Sequence, residues 1–273
     1  MASPLLSKPQ AGFGRVQHIT PARAGWTYVG FDLWRLKAGE TISEKTGGEK
    51  TGDREVCLVM VSGTARISAA GQDFGNQGGR ASPFDGKPHA VYVPAGSEWQ
   101  ATAASQCEIA VCTAPGQPGS HPARAIRPGA GGPEVRGKGT NTRYVTNILP
   151  EGDPADSLLV VEVITPGGHT SSYPPHKHDQ NDLPRESLLE ETYYHRIRPA
   201  QGFAFQRVYT DDRSLDETVV VEDGDVVMVP RGYHPVAALH GYDVYYLNVM
   251  AGPVRTWKFY NAPEHEWLLK QPA

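Results

Sequence analysis

Two histidines one residue apart, two adjacent glutamates and a later histidine are the clearest candidates for chemistry in this chain. The stretch YPPHKHD carries His176 and His178, and this spacing puts both side chains on one face of a strand. Glu190 and Glu191 open the next aromatic strand, and the turn in VVMVPRGYHPV presents His234. Three neutral imidazoles and one carboxylate suit Zn, Mn, Fe, Co or Ni. We therefore predict a divalent metal site, with either glutamate open as the carboxylate.

Short β-strands must position these groups. Runs such as EVCLVMV, HAVYVP, LLVVEVIT and DVYYLNVM are rich in β-branched and aromatic residues, and turn residues separate them. The 273 residues include 30 Gly and 23 Pro, spread along the chain. Short strands at nearly regular spacing are typical of an all-β sandwich or barrel, which is the fold class that we predict.

The two halves of the sequence share one plan, which indicates a duplication. VYVPAGSEW resembles VMVPRGYHP, and GFDLWRLKAGET resembles LVVEVITPGGHT upstream of it. REVCLVMVSGTARI can be laid over LEETYYHRIRPAQGFAFQRV. This alignment places Glu98 opposite His234, and the first half has no histidine opposite His176 or His178. We therefore expect the first half to be a scaffold and the second half to carry the site.

A Pro- and Gly-rich basic stretch between the halves reads as a linker, because it has little to bury. The predicted boundaries are residues 1–118 for a degenerate domain without metal ligands, 119–140 for the linker and 141–273 for the metal-binding catalytic domain.

Charge and cysteine content limit the classes of partner. The formal net charge of −4 and the lack of long Lys/Arg runs argue against nucleic-acid and membrane partners and favour a small molecule. Cys57, Cys107 and Cys112 are odd in number and have no CxxC spacing, which favours reduced thiols. No stretch is typical of a signal peptide or a spanning helix, so we expect a cytoplasmic location.

The stretches GGHTSSYPPHKHD, EETYYHRI and GDVVMVPRGYH resemble the two cupin motifs. The resemblance implies two tandem cupin barrels, also called double-stranded β-helices or jelly rolls. It implies His176, His178, Glu191 and His234 as metal ligands, and it favours Glu191 over Glu190 because the pattern has Glu-x-aromatic at the strand start. Two departures are a longer gap before the glutamate and a single residue between the turn glycine and His234.

Those departures fit a narrower group. YPPHKHD, EETYYHRI, QGFAFQRVYTDD and GYDVYYLNVMAGP closely resemble the 5-deoxy-glucuronate isomerase family of inositol catabolism, to which 5-keto-4-deoxyuronate isomerases are related. The resemblance is dense over Leu158–Trp267 and loose over the first 110 residues. It implies a metal-dependent aldose–ketose isomerase that converts 5-deoxy-D-glucuronate to 5-dehydro-2-deoxy-D-gluconate through an enediol. The implied cofactor is a divalent ion, with Zn, Mn and Fe all open.

Such a reaction needs a base and a cation for the substrate carboxylate. His195 shares the inward parity of Glu191 and titrates near neutrality, so we predict it as the base, with Glu190 and Glu186 as alternatives. The predicted substrate-binding residues are Arg185, Arg207, Tyr209, Tyr246 and Asn248, with Arg231 as a further candidate.

Three other functions fit the same residues. An Fe(II) cupin dioxygenase uses the same ligand types, and a 5-keto-4-deoxyuronate isomerase uses a closely related substrate. A sugar-binding protein with two cupin domains and no catalysis is the third, although a pure binder has no need of a Lewis acid. A homo-oligomer also stays open.

Overall fold

A computed structural model describes residues 3–43, 52–127 and 132–270, and the regular secondary structure of these residues is almost entirely β-strand. The strands in chain order are β1 Leu6–Ser7, β2 Gly14–Ile19, β3 Gly30–Leu36, β4 Thr41–Ser43, β5 Arg54–Ser62, β6 Thr64–Ala69, β7 Gln72–Gly78, β8 Ala90–Val93, β9 Trp99–Ala103, β10 Cys107–Pro115, β11 Arg124–Ile126, β12 Glu134–Arg136, β13 Arg143–Leu149, β14 Leu159–Thr165, β15 Thr170–Ser171, β16 His176–Lys177, β17 Asp179–Asp182, β18 Glu186–Leu188, β19 Glu190–Arg198, β20 Phe203–Tyr209, β21 Asp216–Glu222, β22 Val226–Val229, β23 Val236–Ala238, β24 Asp243–Ala251 and β25 Tyr260–Asn261. The helical segments are α1 Pro21–Ala24 and the 3-10 turns Gly139–Asn141 and Pro263–Lys270. Within the described ranges, no helix is long and apolar enough to cross a bilayer.

The first compact unit, here called the N-terminal barrel, contains the described residues of 9–132 and 148–160. A six-stranded sheet has the order β11-β8-β5-β10-β3-β2, and a four-stranded sheet has the order β4-β9-β6-β7. One hydrophobic cluster draws Leu58 from the first sheet and Ile67 and Trp99 from the second. The core therefore lies between the two sheets, as in a β-sandwich or barrel.

The second compact unit, the C-terminal barrel, contains the described residues of 1–8, 133–147 and 161–273. Its large sheet has the order β1-β22-β19-β24-β14-β13-β12, and its four-stranded sheet has the order β15-β23-β20-β21. Two small pairs, β16-β25 and β17-β18, complete it. A buried hydrogen bond of 3.0 Å joins His195 Nε2 on β19 to Gln206 Oε1 on β20, so the inner faces of the two sheets meet.

Strand order confirms the predicted duplication and the all-β class. The series β8-β5-β10-β3-β2 recurs as β22-β19-β24-β14-β13, and β4-β9-β6-β7 recurs as β15-β23-β20-β21. The repeats matched by sequence, β8 with β22, β3 with β14 and β5 with β19, therefore occupy matching positions.

We predicted contiguous domains with boundaries at residues 118 and 140, and the compact units differ from them in two segments. Each of these segments belongs to the barrel formed by the other half of the chain. Strand β1 pairs with β22 of the C-terminal barrel, Leu6 opposite Val227. Residues 148–160 belong to the N-terminal barrel, where the buried Glu55 carboxylate accepts hydrogen bonds from the backbone of Asp156, Ser157 and Leu158. Both segments are held by backbone groups, which leave little trace in side-chain patterns. The expected linker also contains β11, and its residues 128–131 lie outside the described part of the chain.

Candidate metal centre and active site

Three of the four predicted metal ligands converge inside the C-terminal barrel. His178 follows β16, Glu191 lies on β19 and His234 lies in the turn between β22 and β23. Their ligand atoms all lie within 4.8 Å of one another, and all three residues are buried. His178 Nε2 is 3.1 Å from Glu191 Oε2, and His234 Nε2 is 3.3 Å from the same oxygen. Two ligands held about 2.1 Å from one tetrahedral ion would be roughly 3.4 Å apart, so these separations suit a shared cation.

Backbone carbonyls orient both imidazoles. His178 Nδ1 donates to Leu189 O at 3.0 Å, and His234 Nδ1 donates to Gly232 O at 2.8 Å. In each neutral ring the Nε2 lone pair therefore faces Glu191. Among the described residues His234 Nε2 has no hydrogen-bond partner although it is buried. A cation would satisfy these converging acceptors, so the residues present fit a divalent metal ion.

The surroundings shift the imidazole pKa values in opposite directions. Burial lowers the pKa of His234 to about 4, although the negative charge of Glu191 acts in the opposite direction and raises it. Burial also lowers the pKa of His178, but the protonated ring donates from Nε2 to Glu191 and from Nδ1 to Leu189 O, and these hydrogen bonds give a net upward shift. A neutral His234 is in the protonation state that a metal ligand needs.

His176 lies beside this group on its open side. Its ring centroid is 5.0 Å from that of His234 and 6.4 Å from that of His178, and it packs on Phe259 at 4.7 Å. Burial and the neighbouring His234 and His178 lower the pKa of His176 well below its usual value. Both histidines of the HKH motif thus approach His234, as their spacing predicts, while the atoms of His176 are outside the 4.8 Å group.

Two cavities adjoin the group. A small one of about 30 Å³ reaches Glu191 and Tyr193, and a larger cleft of about 510 Å³ is lined by Trp257, Phe259 and Leu269. The residues that line both are Arg136, Arg143, His176 and Trp257. The two cavities therefore share a boundary that contains two arginines, and the small cavity reaches the candidate metal centre at Glu191.

Two predicted substrate-binding residues, Tyr246 and Asn248, line the small cavity from β24. Burial raises the pKa of Tyr246, so its hydroxyl stays protonated and can donate a hydrogen bond. Asn248 Nδ2 is buried and has no hydrogen-bond partner among the described residues. Both side chains therefore present donors at the cavity.

The other predicted substrate-binding residues lie elsewhere. Arg185 is exposed and pairs with Asp182 at 2.7 Å, and Arg207 is exposed and pairs with Asp216 at 2.7 Å. Tyr209 packs on Tyr233 with ring centroids 5.1 Å apart. On β20 buried residues alternate with exposed ones, so Gln206 faces inward and Arg207 faces out. The further candidate Arg231 is exposed as well. The two cavities are lined by other residues.

None of the three predicted bases lines the cavities. The His195 ring is fully buried and stacks on Tyr193 with centroids 5.9 Å apart, and burial lowers its pKa to about 4 although Gln206 opposes this shift. Glu190 has the opposite parity to Glu191 on β19, so it leaves the strand on the other face. The alternative base Glu186 is buried and pairs with Lys177 at 3.3 Å.

Arg136 and Arg143 are candidate functional residues that we did not predict from the sequence. Arg143 opens β13 and donates to Asn141 O at 3.1 Å, and Arg136 stacks over Trp257 with its guanidinium carbon 5.4 Å from the ring centroid. The only sequence signal is a pair of arginines in EVRGKGTNTRYV, where we expected the linker to meet the second domain.

The fold and the site define a two-cupin protein whose C-terminal barrel carries a candidate metal centre. Oxalate decarboxylase from Bacillus subtilis, a protein with Mn(II) centres, superimposes with a TM-score of 0.65 at 14% identity over 100% of this chain and 82% of that one. This likeness confirms the predicted cupin fold.

Residues 5–268 match the KduI/IolB family, and the chain belongs to it. An IolB-like protein from Salmonella typhimurium LT2 superimposes with a TM-score of 0.93 at 54% identity, over 97% of this chain and 99% of that one. A 5-deoxy-glucuronate isomerase from Geobacillus kaustophilus is 55% identical over 94% of this chain and 91% of its own length. Another 5-deoxy-glucuronate isomerase, from Bacillus subtilis strain 168, is 48% identical over 98% of this chain and 99% of its own length. The predicted family is confirmed.

Proposed function

We propose that this chain is a metal-dependent 5-deoxy-glucuronate isomerase, an aldose–ketose isomerase that yields 5-dehydro-2-deoxy-D-gluconate. One observation carries the proposal: converging buried ligand atoms adjoin an arginine-lined cavity in a chain that is 55% identical to a protein of that name. A small sugar acid as substrate and a cytoplasmic location are parts of the same proposal.

The metal would be held by His178, Glu191 and His234, with His176 as a fourth ligand from the side of the cleft. Two imidazoles with fixed tautomers and one carboxylate accept Zn, Mn or Fe alike, so the ion is named only as divalent. When bound, such an ion supplies Lewis-acid polarisation of a substrate oxygen.

Arg143 is the proposed partner of the substrate carboxylate. It lines the same small cavity as His176 and Tyr246, and its charge acts on the pKa of both groups. A planar guanidinium forms two parallel hydrogen bonds with a carboxylate, which fixes the orientation of the sugar. Tyr246 and Asn248 then donate to substrate oxygens in the small cavity.

Isomerisation moves a proton between C2 and C1, so a base must lie within hydrogen-bond reach of the C2 proton. His195 and Glu190 stay predictions for this role. Since neither lines the cavities, proton transfer to either one requires an intervening group that carries the proton.

The test is turnover of 5-deoxy-D-glucuronate in D₂O by metal-loaded protein, with the product followed by NMR. We expect solvent deuterium at the carbon that was C1 of the substrate and is C6 of the product, because an enediol intermediate exchanges its proton with solvent. His178→Ala should lose both the metal and turnover, whereas His240→Ala, at an exposed histidine of the same barrel, should keep both. Wild-type protein that holds the metal and leaves the uronate unchanged would reject the proposal. Turnover that persists without oxygen, with Mn or Zn, would exclude a dioxygenase.

A further inference from the structure

Lys177, between the two histidines of the HKH motif, is buried in a polar cluster. Its side chain is 6% exposed, and Nζ lies 2.7 Å from Asp179 Oδ1 and 3.3 Å from Glu186 Oε1. Glu186 Oε1 also accepts from the backbone N–H groups of Asp179 at 2.7 Å and Gln180 at 3.2 Å. We call Lys177, Asp179 and Glu186 the lysine clamp.

The lysine clamp continues to the turn that presents His234. Asp179 Oδ2 accepts from Gly232 N–H at 2.8 Å, and Gly232 O accepts from His234 Nδ1–H at 2.8 Å. A series of contacts therefore runs from the ammonium of Lys177, through the carboxylate of Asp179 and the backbone N–H and C=O of Gly232, to an imidazole of the candidate metal centre. It links the segment that carries His178 to the segment that carries His234.

The other side of the same turn is fixed by Tyr209. Gly232 has φ +92°, and a Cβ there would lie 2.5 Å from Tyr209 O, so the turn requires glycine. Tyr209 and Tyr233 exchange two backbone hydrogen bonds of 2.9 and 2.8 Å. With Tyr209 on one side and Asp179 on the other, the peptide that orients the His234 ring has little freedom to move.

We propose that Asp179 is a positioning residue, which acts through Gly232 to aim His234 Nε2 at the metal. The inference rests on the proposed metal site. The two carboxylate oxygens of Asp179 are bound by Lys177 and Gly232, so Asp179 is not itself placed as a metal ligand. A buried ion pair adds little net stability compared with apolar residues of the same size. We therefore expect the lysine clamp to affect metal affinity more than stability. Groups that orient metal ligands through hydrogen bonds commonly tune metal affinity.

The test compares the affinity of apoprotein for Co(II), by chelator competition, and the visible spectrum of bound Co(II), with the thermal stability of the apoprotein. Asp179→Ala should weaken affinity about tenfold or more and change the Co(II) spectrum. The matched control is Asp182→Asn, an exposed carboxylate three residues away that pairs with Arg185, and it should leave both unchanged.

A second pair of variants separates positioning from folding. In Asp179→Asn the amide oxygen can accept from Gly232, but its NH₂ group would face the Lys177 ammonium, so affinity should fall. Combining it with Lys177→Met removes that conflict and should bring affinity back within about threefold of wild type. Wild-type affinity and spectrum in both Asp179→Ala and Asp179→Asn would overturn the inference, as would a double variant no better than Asp179→Asn. Wild-type protein that binds no Co(II) would instead refute the metal site, and the inference with it.

Discussion

Replacement of Arg143 by methionine should cost the protein its recognition of the substrate carboxylate. Arg143 lines both cavities, and burial lowers its pKa without removing its charge. A charge-assisted hydrogen-bonding pair in such a site contributes about 1.5–3 kcal/mol. Loss of that contribution corresponds to a drop of about 10- to 150-fold in kcat/KM for 5-deoxy-D-glucuronate.

The assay is steady-state kinetics on two substrates, the uronate and a neutral analogue with a hydroxymethyl group in place of the carboxylate. Arg143→Met should lose the preference for the uronate, and Arg143→Lys should lose part of it, because lysine keeps the charge without the planar fork. Arg185→Met and Arg207→Met are matched controls, since both arginines are exposed and paired with aspartates, and each should change kcat/KM less than about twofold. An Arg143→Met enzyme that still prefers the uronate by the wild-type factor would refute the assignment.

Three further predictions concern the turn, the buried thiols and the first barrel. Gly232→Ala should destabilise the protein by about 1–3 kcal/mol and release bound metal, measured by thermal melts and metal analysis, because its Cβ would meet Tyr209 O; a stable variant with full metal content would contradict this. Burial raises the pKa of Cys57 to about 12, so stability is fully present below the ordinary thiol pKa and falls by about 1.4 kcal/mol per pH unit as pH rises toward the folded value. Melting temperatures measured from about pH 8.5, the ordinary thiol pKa, to about pH 10.5 should therefore fall less steeply with pH in Cys57→Val than in the wild-type protein. Equal slopes in the two proteins would contradict this prediction. Glu98→Gln, at an exposed position, should change stability by less than about 0.5 kcal/mol in urea unfolding and leave kcat unchanged, and a large loss of kcat would indicate chemistry in the N-terminal barrel.

The candidate metal centre was open to prediction because its residues obey local rules. The HxH spacing directs His176 and His178 to one side, and both rings approach that of His234. Glu191 lies at the start of a strand whose inward positions alternate. The turn before His234 has a glycine, Gly232, which both a positive φ and the close approach of Tyr209 O require. The duplicated strand order followed from hydrophobic runs at matching spacing, which short-range patterns report well.

The substrate side was harder to predict because it depends on which strand faces meet. Arg207 and Gln206 are neighbours in sequence, yet only Gln206 points inward, and the register of β20 decides which. Arg143 reaches the site from a strand far from the motifs. Lys177, between two histidines that point to one side, enters a buried cluster on the other side, and its partner Glu186 is nine residues away.

Titration of metal-free protein with one divalent ion tests the central claim most directly. If His178, Glu191 and His234 bind the ion on which isomerisation depends, turnover should rise in proportion to bound metal and level off at about one ion per chain. Full turnover of the uronate by protein stripped of metal would contradict the account.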